Sequence, residues 1–323
     1  MSKTTSIRKS SRKSSRKPYR VRNWSEYNQN LVQRGSITLW IDTNIARSWK
    51  PEIQHRQGGQ FDYSDVAIEC LLMLRSVFHL TLRATEGFAL SLVRMMRLSV
   101  AIPDYSTLSR RAQTITVKLP QHHRGALHAV LDSTGLKVFG EGEWKVRQHG
   151  YSKRRTWRKL HFATDPASKE IQAVVLTENS VDDASVVPEL LEQIERSIEC
   201  LNADGSYDKA KVYTECKQRQ IKHVAIPPQH NARIWQHGNL KVPPHPRDEN
   251  LRRIRAIGRT QWKIETRYHQ RSLGENTFFR FKTIFGEKLQ ARLLSTQLTE
   301  VRIKSVILNR MTQLGMPDSY RIA

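Results

Sequence analysis

The period of the apolar positions changes along the chain, and the changes mark out its parts. The first 22 or so residues hold almost nothing apolar. A helical pattern follows: Ala67, Cys70, Leu71, Leu74 and Phe78 recur at i, i+3, i+4, i+7 and i+11 behind Ser64, a suitable N-cap. A second helix is predicted from about Leu82 to Leu98, apolar at Phe88, Leu92, Val93 and Met96. Pro103 and Asp104 break the run, and a short helix from Ser106 would expose Arg110 and Arg111. Near Leu127 the pattern becomes extended, with strands at Leu127–Phe139, Arg158–Thr164 and Ile171–Thr177 joined by short turns as an antiparallel meander.

Helices at about Ser185–Glu195 and Lys209–Gln218 then alternate with short strands ending at Leu201 and covering His223–Ile226. Strands leading into helices indicate parallel pairing, so the expected core is an α/β mixed sheet flanked by helices. A Pro/His-rich insertion is expected near residues 227–250, one charged and aromatic helix from about Arg259 to Phe285, and a last helix from about Leu298 to Met311 packed on the sheet. The domain expectation is a disordered basic arm over 1–22, an all-helical DNA-binding domain over 23–122, and an α/β catalytic domain over 123–323.

Charge changes the picture most. Lys and Arg number 54 against 30 Asp and Glu, a formal net charge of +24 spread over 323 residues. Such a field selects a polyanion, with nucleic acid as the default partner. A membrane role is not expected, because no apolar run approaches ~18 residues and no apolar stretch follows the basic N-terminus. The Ser/Lys/Arg arm is expected to lie along phosphates, though a merely solubilising tail has the same composition. Cys70, Cys200 and Cys216 are too scattered for a disulfide framework or a cysteine zinc site, and His230, His237 and His245 match no zinc spacing.

Candidate chemistry lies in one polar stripe. On a helix, Tyr268, Arg271, Glu275 and Lys282 would fall within an arc of roughly 60°, whereas stripes at this spacing are usually apolar. Asp132 lies inside an apolar strand and Asp204 follows another. A buried carboxylate needs a cation or donor, and three carboxylates suit two Mg²⁺ or Mn²⁺ ions and phosphodiester chemistry. Both aspartates also fit turns, in Asp132-Ser-Thr-Gly and Asp204-Gly. Asp208, Asp182 and Asp183 compete for the second position, and Glu265 competes for the third but lies about 80° off the stripe. Lys153, Arg154 and Arg155, interleaved with Trp144 and Trp157 and followed by Arg158 and Lys159, would grip DNA beside the site.

With Asp132 in Leu-Asp-Ser-Thr-Gly-Leu-Lys, Asp204 in Ala-Asp-Gly-Ser-Tyr-Asp, and the spacing Tyr268-x2-Arg271-x3-Glu275-x6-Lys282, most of the chain resembles the DDE transposases of bacterial insertion sequences, of the insertion-sequence-five family. The resemblance implies a ribonuclease-H-like fold, the three carboxylates as divalent-metal ligands, hydrolysis at the transposon ends, and attack of the freed 3′-hydroxyl on target DNA. It further implies phosphate contacts from Arg271 and Lys282 and stacking or hydrogen bonding to DNA from Tyr268. The partners it implies are double-stranded DNA, at terminal inverted repeats and target, and a dimer or higher oligomer on DNA in a bacterial cytoplasm at the nucleoid. A ribonuclease-H-like nuclease or resolvase without strand transfer, and a catalytically silent DNA-binding regulator, are the competing expectations.

Overall fold

The computed structural model describes residues 19–41, 45–51, 61–138, 157–236 and 243–322. Its centre is a six-stranded mixed sheet. The long strand β2 (Leu127–Val138) pairs antiparallel with β3 (Trp157–Thr164), and β3 pairs antiparallel with β4 (Ile171–Glu178). On its other side β2 pairs parallel with β5 (Ile198–Asn202), which pairs parallel with β6 (His223–Ala225), and the far end of β2 pairs parallel with the sixth strand, β7 (Lys288–Leu289). The meander and the parallel strands both follow the predicted pattern, and the architecture fits a ribonuclease-H-like core.

Helices cover both faces. One face packs on α6 (Val187–Glu192) and α7 (Ala210–Gln218) through Leu127, Ala129, Leu131 and Leu201. The other carries Leu136, Leu160, Phe162 and Val174 and packs on α9 (Ser272–Phe285) and α10 (Leu294–Gln313). Phe162 stacks on Phe278 at 4.6 Å between centroids and meets Phe281 edge-on at 5.6 Å. α10 is buried nearly all round, so its polar side chains are matched inside: Glu300 accepts from the backbone N–H groups of Gln290 and Ala291 and pairs with Lys304 at 2.6 Å. Asn309 closes both a donor and an acceptor bond with the backbone of Ile171, at 2.7 and 2.8 Å.

The N-terminal helices are α1 (Trp24–Gln33), α2 (Ile37–Trp40), α3 (Asp65–Val77), α4 (Leu82–Met95) and α5 (Tyr105–Arg111). Ser64 caps α3 as predicted, accepting from the Ala67 N–H at 3.1 Å, and Asp104 caps α5 through Ser106 and Thr107. Their buried side chains, from Trp40 to Val117, form one continuous apolar cluster with the α10 face of the sheet. Separate packing of residues 23–122 is therefore not what the side chains describe.

Three expectations change. The basic arm does not run to residue 22, because β1 (Tyr19–Val21) pairs antiparallel with β8 (Ser319–Arg321) near the C-terminus; residues 1–18 lie outside the described residues. The insertion gives way at Pro246 to α8 (Pro246–Glu265), capped by His245 and anchored by a buried Arg247–Asp208 ion pair at 2.8 Å. The single helix expected over 259–285 is three pieces. α8, kinked at Gly258, ends at Glu265; Arg267 takes a left-handed conformation (φ 52°); and a 3₁₀ turn at Tyr268–Arg271 leads into α9. That turn folds Tyr268 back onto Trp262.

Phe281 is almost fully buried in the aromatic wedge between α9 and β3. Its replacement by alanine is expected to lower stability by about 3–5 kcal/mol, read as a lower urea midpoint with an unchanged denaturant slope.

Candidate active site

The parallel and antiparallel halves of the sheet meet at β2, and Asp132 sits there opposite Phe162 of β3. Only 14% of its side chain is exposed. The chain leaves β5 two residues before Asp204, which caps a short 3₁₀ turn by accepting from the Ser206 N–H at 2.8 Å and Ser206 Oγ at 2.5 Å. The turn reading of Asp204-Gly205 thus holds locally, and the turn leaves the carboxylate near enough to Asp132 to raise its pKa. Gly205 is tightly fitted, since a Cβ there would lie 3.2 Å from the Pro227 carbonyl oxygen.

Glu275 comes from α9. This helix crosses β2 at Gly274, where a Cβ would stand 3.1 Å from Val130 Cγ1 and 3.7 Å from Asp132 Cβ. The absent side chain lets backbone approach strand closely. One turn earlier, Arg271 donates through Nη1 to Asp132 Oδ2 at 3.4 Å and through Nη2 to Glu275 Oε1. The Glu275 side chain remains 56% exposed, so it opens to solvent where Asp132 is enclosed.

Electrostatics tie the groups together. Burial raises the Asp132 pKa to about 6; Asp204 and Glu275 push it the same way, while Arg271 and the Ser133 N–H oppose. Burial also works against the charge of Arg271, but Tyr268 and the three carboxylates outweigh it and raise its pKa. One guanidinium therefore serves a cluster of three acids.

The competing carboxylates are satisfied elsewhere. Asp208 pairs with Arg247 and accepts from Tyr213 at 3.2 Å, Asp182 pairs with Lys209 and Lys211, and Glu265 takes both arms of Arg253 at 2.8 and 2.9 Å. Asp183 is different. It accepts from Lys159 Nζ at 2.9 Å and Ser133 Oγ at 3.1 Å, so it braces the residue after Asp132, and it lies 3.4 Å from Ser206 Oγ, whose hydroxyl is donated to Asp204. Tyr207 is fully buried beneath this cluster, close enough to Asp183, Asp132 and Asp204 that all three add to burial in raising its pKa. The bracing role of Asp183 was not read from the sequence; the Asp-Gly-Ser-Tyr run and the lysine at the end of the basic patch were its only traces.

The remaining predicted residues divide. Lys282 is half-buried on α9 and Arg110 is exposed on α5. Arg111 is not available to DNA as expected: it is buried against Asp65 and the Tyr63 carbonyl oxygen, with Phe61 under its guanidinium. Tyr268 is buried against Trp262, 5.7 Å between centroids, and presents no open face to a base. Lys153, Arg154 and Arg155, with Trp144 and His237, lie outside the described residues. Trp157 covers Gly135, Arg158 binds Gln297 and Glu178, and Lys159 is held by Asp183, so the end of that patch faces the protein.

The donor set is all carboxylate oxygen, the kind that Mg²⁺ and Mn²⁺ prefer. Among the described residues no three acidic, His or Cys side chains already stand close enough to cage an ion. Arg271, bridging two of the three acids, is the cation that a metal would displace. The residues fit such an ion in kind and in charge, with that exchange required.

Two family models match the chain, each described as a transposase DDE domain. One covers residues 32–141, which includes α3, α4, α5 and β2, and the other covers residues 123–310, more than half of the chain. Among the described residues no helix is long and apolar enough to cross a membrane.

Because its folded-state pKa stands above the ordinary carboxylate value, Asp132 costs stability once ionised. The folded state binds its proton more tightly, so this cost is absent below about pH 4, grows through about pH 6 and is complete above it. In metal-free buffer, Asp132→Asn is therefore expected to be more stable than wild type by up to about 3 kcal/mol near neutral pH. That advantage should fade toward about pH 4. Denaturant unfolding of both proteins across this range checks the sign.

Proposed function

The chain belongs to the DDE transposases, and on that premise we propose that it cleaves the ends of an insertion sequence and joins the freed 3′-hydroxyls to target DNA. The observation that carries the assignment of Asp132, Asp204 and Glu275 is their charge balance. The neighbouring acids Asp182, Asp183, Asp208 and Glu265 have their own cations, whereas Asp132 and Glu275 share Arg271 and Asp204 makes no ion pair among the described residues. A pair of Mg²⁺ or Mn²⁺ ions held there would stabilise the attacking and leaving oxygens of phosphodiester cleavage and transfer.

The chain's own residues then have separable tasks. Asp132 presents its oxygens from β2 and Asp204 from just beyond the end of the adjacent parallel strand β5; Asp183 braces the first through Ser133, and Ser206 holds the second. Glu275, on the exposed side, completes the set. Arg271 keeps the acids from repelling one another in the free protein, and on displacement its planar fork suits a phosphate oxygen pair. Lys282 lies two turns beyond Glu275 along α9 and supplies a second positive charge to the DNA backbone. Tyr268 holds the turn that aims Arg271, a role that fits its burial better than stacking on a base.

The finer expectations belong to the same proposal. They are membership of the insertion-sequence-five family, DNA recognition by the helical segment with Arg110 exposed, a dimer or higher oligomer on DNA, and action in a bacterial cytoplasm at the nucleoid. The overall charge of +24 supports the DNA partner.

Replacing Glu275 with Gln is expected to remove cleavage of transposon-end DNA in Mg²⁺ while end binding persists. Full cleavage by that variant would sink the assignment. Pre-cleaved ends supplied to the wild-type protein should be joined to target DNA, and release without joining would instead favour a nuclease or resolvase.

A further inference from the structure

A groove of about 690 Å³ runs between α1, α9 and the segment that leads into β8, lined by Tyr27, Arg34, Lys169, Phe279, Arg280 and Asp318 among others. Arg280 lies about 140° round α9 from Glu275, so the groove opens on a different flank of the same helix. Its charges are poorly matched. Among the described residues Arg34 Nε and Nη2 are buried with no hydrogen-bond partner, and its guanidinium lies over the Tyr27 ring, 5.9 Å to the centroid. Arg280 reaches Thr312 Oγ1 at 2.7 Å, a neutral acceptor. Burial first, and then the nearby Arg34, lower the Arg280 pKa to about 10 against an opposing pull from Tyr27. Among the described residues neither arginine makes an ion pair. Three cations, Arg34, Arg280 and Lys169, thus face one carboxylate, Asp318.

Unpaired buried guanidinium N–H groups are costly, and two repelling guanidiniums more so. Both penalties fall if an anion with several acceptor oxygens sits between them. At the rim, Phe279 is 69% exposed on the helix that carries Glu275, an apolar face beside a cationic groove. That combination suits a sugar-phosphate chain, where backbone charge and base or sugar surface are recognised together.

We propose that this groove is a phosphate-binding subsite for DNA, in which Arg34 and Arg280 take one backbone phosphate and Phe279 packs against the adjoining sugar or base. The subsite rests on DNA being the substrate and is independent of which carboxylates hold metal. It would anchor the duplex on one flank of α9 while the cut is made at another.

The test uses the full chain in chelator, so that no cleavage intervenes, with a short fluorescent duplex of unrelated sequence titrated at several salt concentrations. Arg34→Gln is the primary variant, because its side chain makes no hydrogen bond whose loss would unfold the protein. It is expected to weaken binding and to reduce the slope of log K against log[salt] by about one, and the Arg34→Gln/Arg280→Gln pair should do no less. Pyrophosphate should raise the thermal midpoint of the wild type more than that of Arg34→Gln. An unchanged slope and affinity in Arg34→Gln would overturn the proposal. If the pyrophosphate effect is lost while the slope is kept, the groove binds a small anion and the DNA assignment falls. Because this titration is run in chelator and reads binding alone, its outcome is independent of the Glu275→Gln cleavage test, so failure of the groove and failure of the catalytic assignment are distinguishable.

Discussion

The candidate site depends on how closely α9 can approach β2. Helices lying on sheets are normally held off by their side chains, but at Gly274 there is none, and Val130 and Asp132 occupy the space that a Cβ would contest. The contact sets the depth of the helix, and the depth sets what its N-terminal turn can reach. Arg271 touches Asp132 only because the backbone three residues later lies directly on the strand. The stacked Phe162–Phe278 pair and the Phe281 edge fix the same crossing from the apolar side. A glycine in a helix costs about 1 kcal/mol relative to alanine, and here that local penalty accompanies an approach that a Cβ would crowd against Val130 Cγ1 at 3.1 Å.

The second organising constraint is electrostatic. The site brings together acids that would repel in a half-buried setting, and a single guanidinium holds two of them, Asp132 and Glu275. Burial dominates the raised pKa of Asp132, and like charge from Asp204 and Glu275 adds to it. A cluster with one removable cation is better prepared to accept a divalent ion than one in which every carboxylate is already paired. The paired state of Asp208, Asp182 and Glu265 therefore separates candidates that proximity in sequence alone leaves level.

Much of this was legible in the chain. Period-two runs located β2, β3 and β4, Ser64 located the start of α3, and the Arg271–Glu275 spacing of one helical turn survives as an ion pair. What escaped was long-range. Nothing local says that Arg111 turns inward to Asp65, 46 residues away, or that Lys159 finds Asp183 across a hairpin. The polar stripe was read as one helix because its spacing is helical; a left-handed Arg267 and a 3₁₀ turn withdraw Tyr268 from that face, a backbone choice made by its packing on Trp262. Likewise a change of period at Leu127 suggests a domain boundary, while the apolar faces on either side of it fuse into one core.

That fused core bears on how DNA could be handled. Had the helical segment been a module on a linker, its binding would be coupled to the site only through effective concentration. Instead α3 packs against α10, α10 carries β4 through Asn309, and β1 pairs with β8 at the far end of the sequence. A load on α3 is thereby transmitted through packed side chains to the sheet that carries Asp132. The Arg34–Arg280 groove spans the junction, with one guanidinium from the helical segment and the other from the helix of Glu275. A phosphate held between them would tie DNA to both parts at once, and the duplex would be positioned by the same rigid contact at Gly274 that positions the acids.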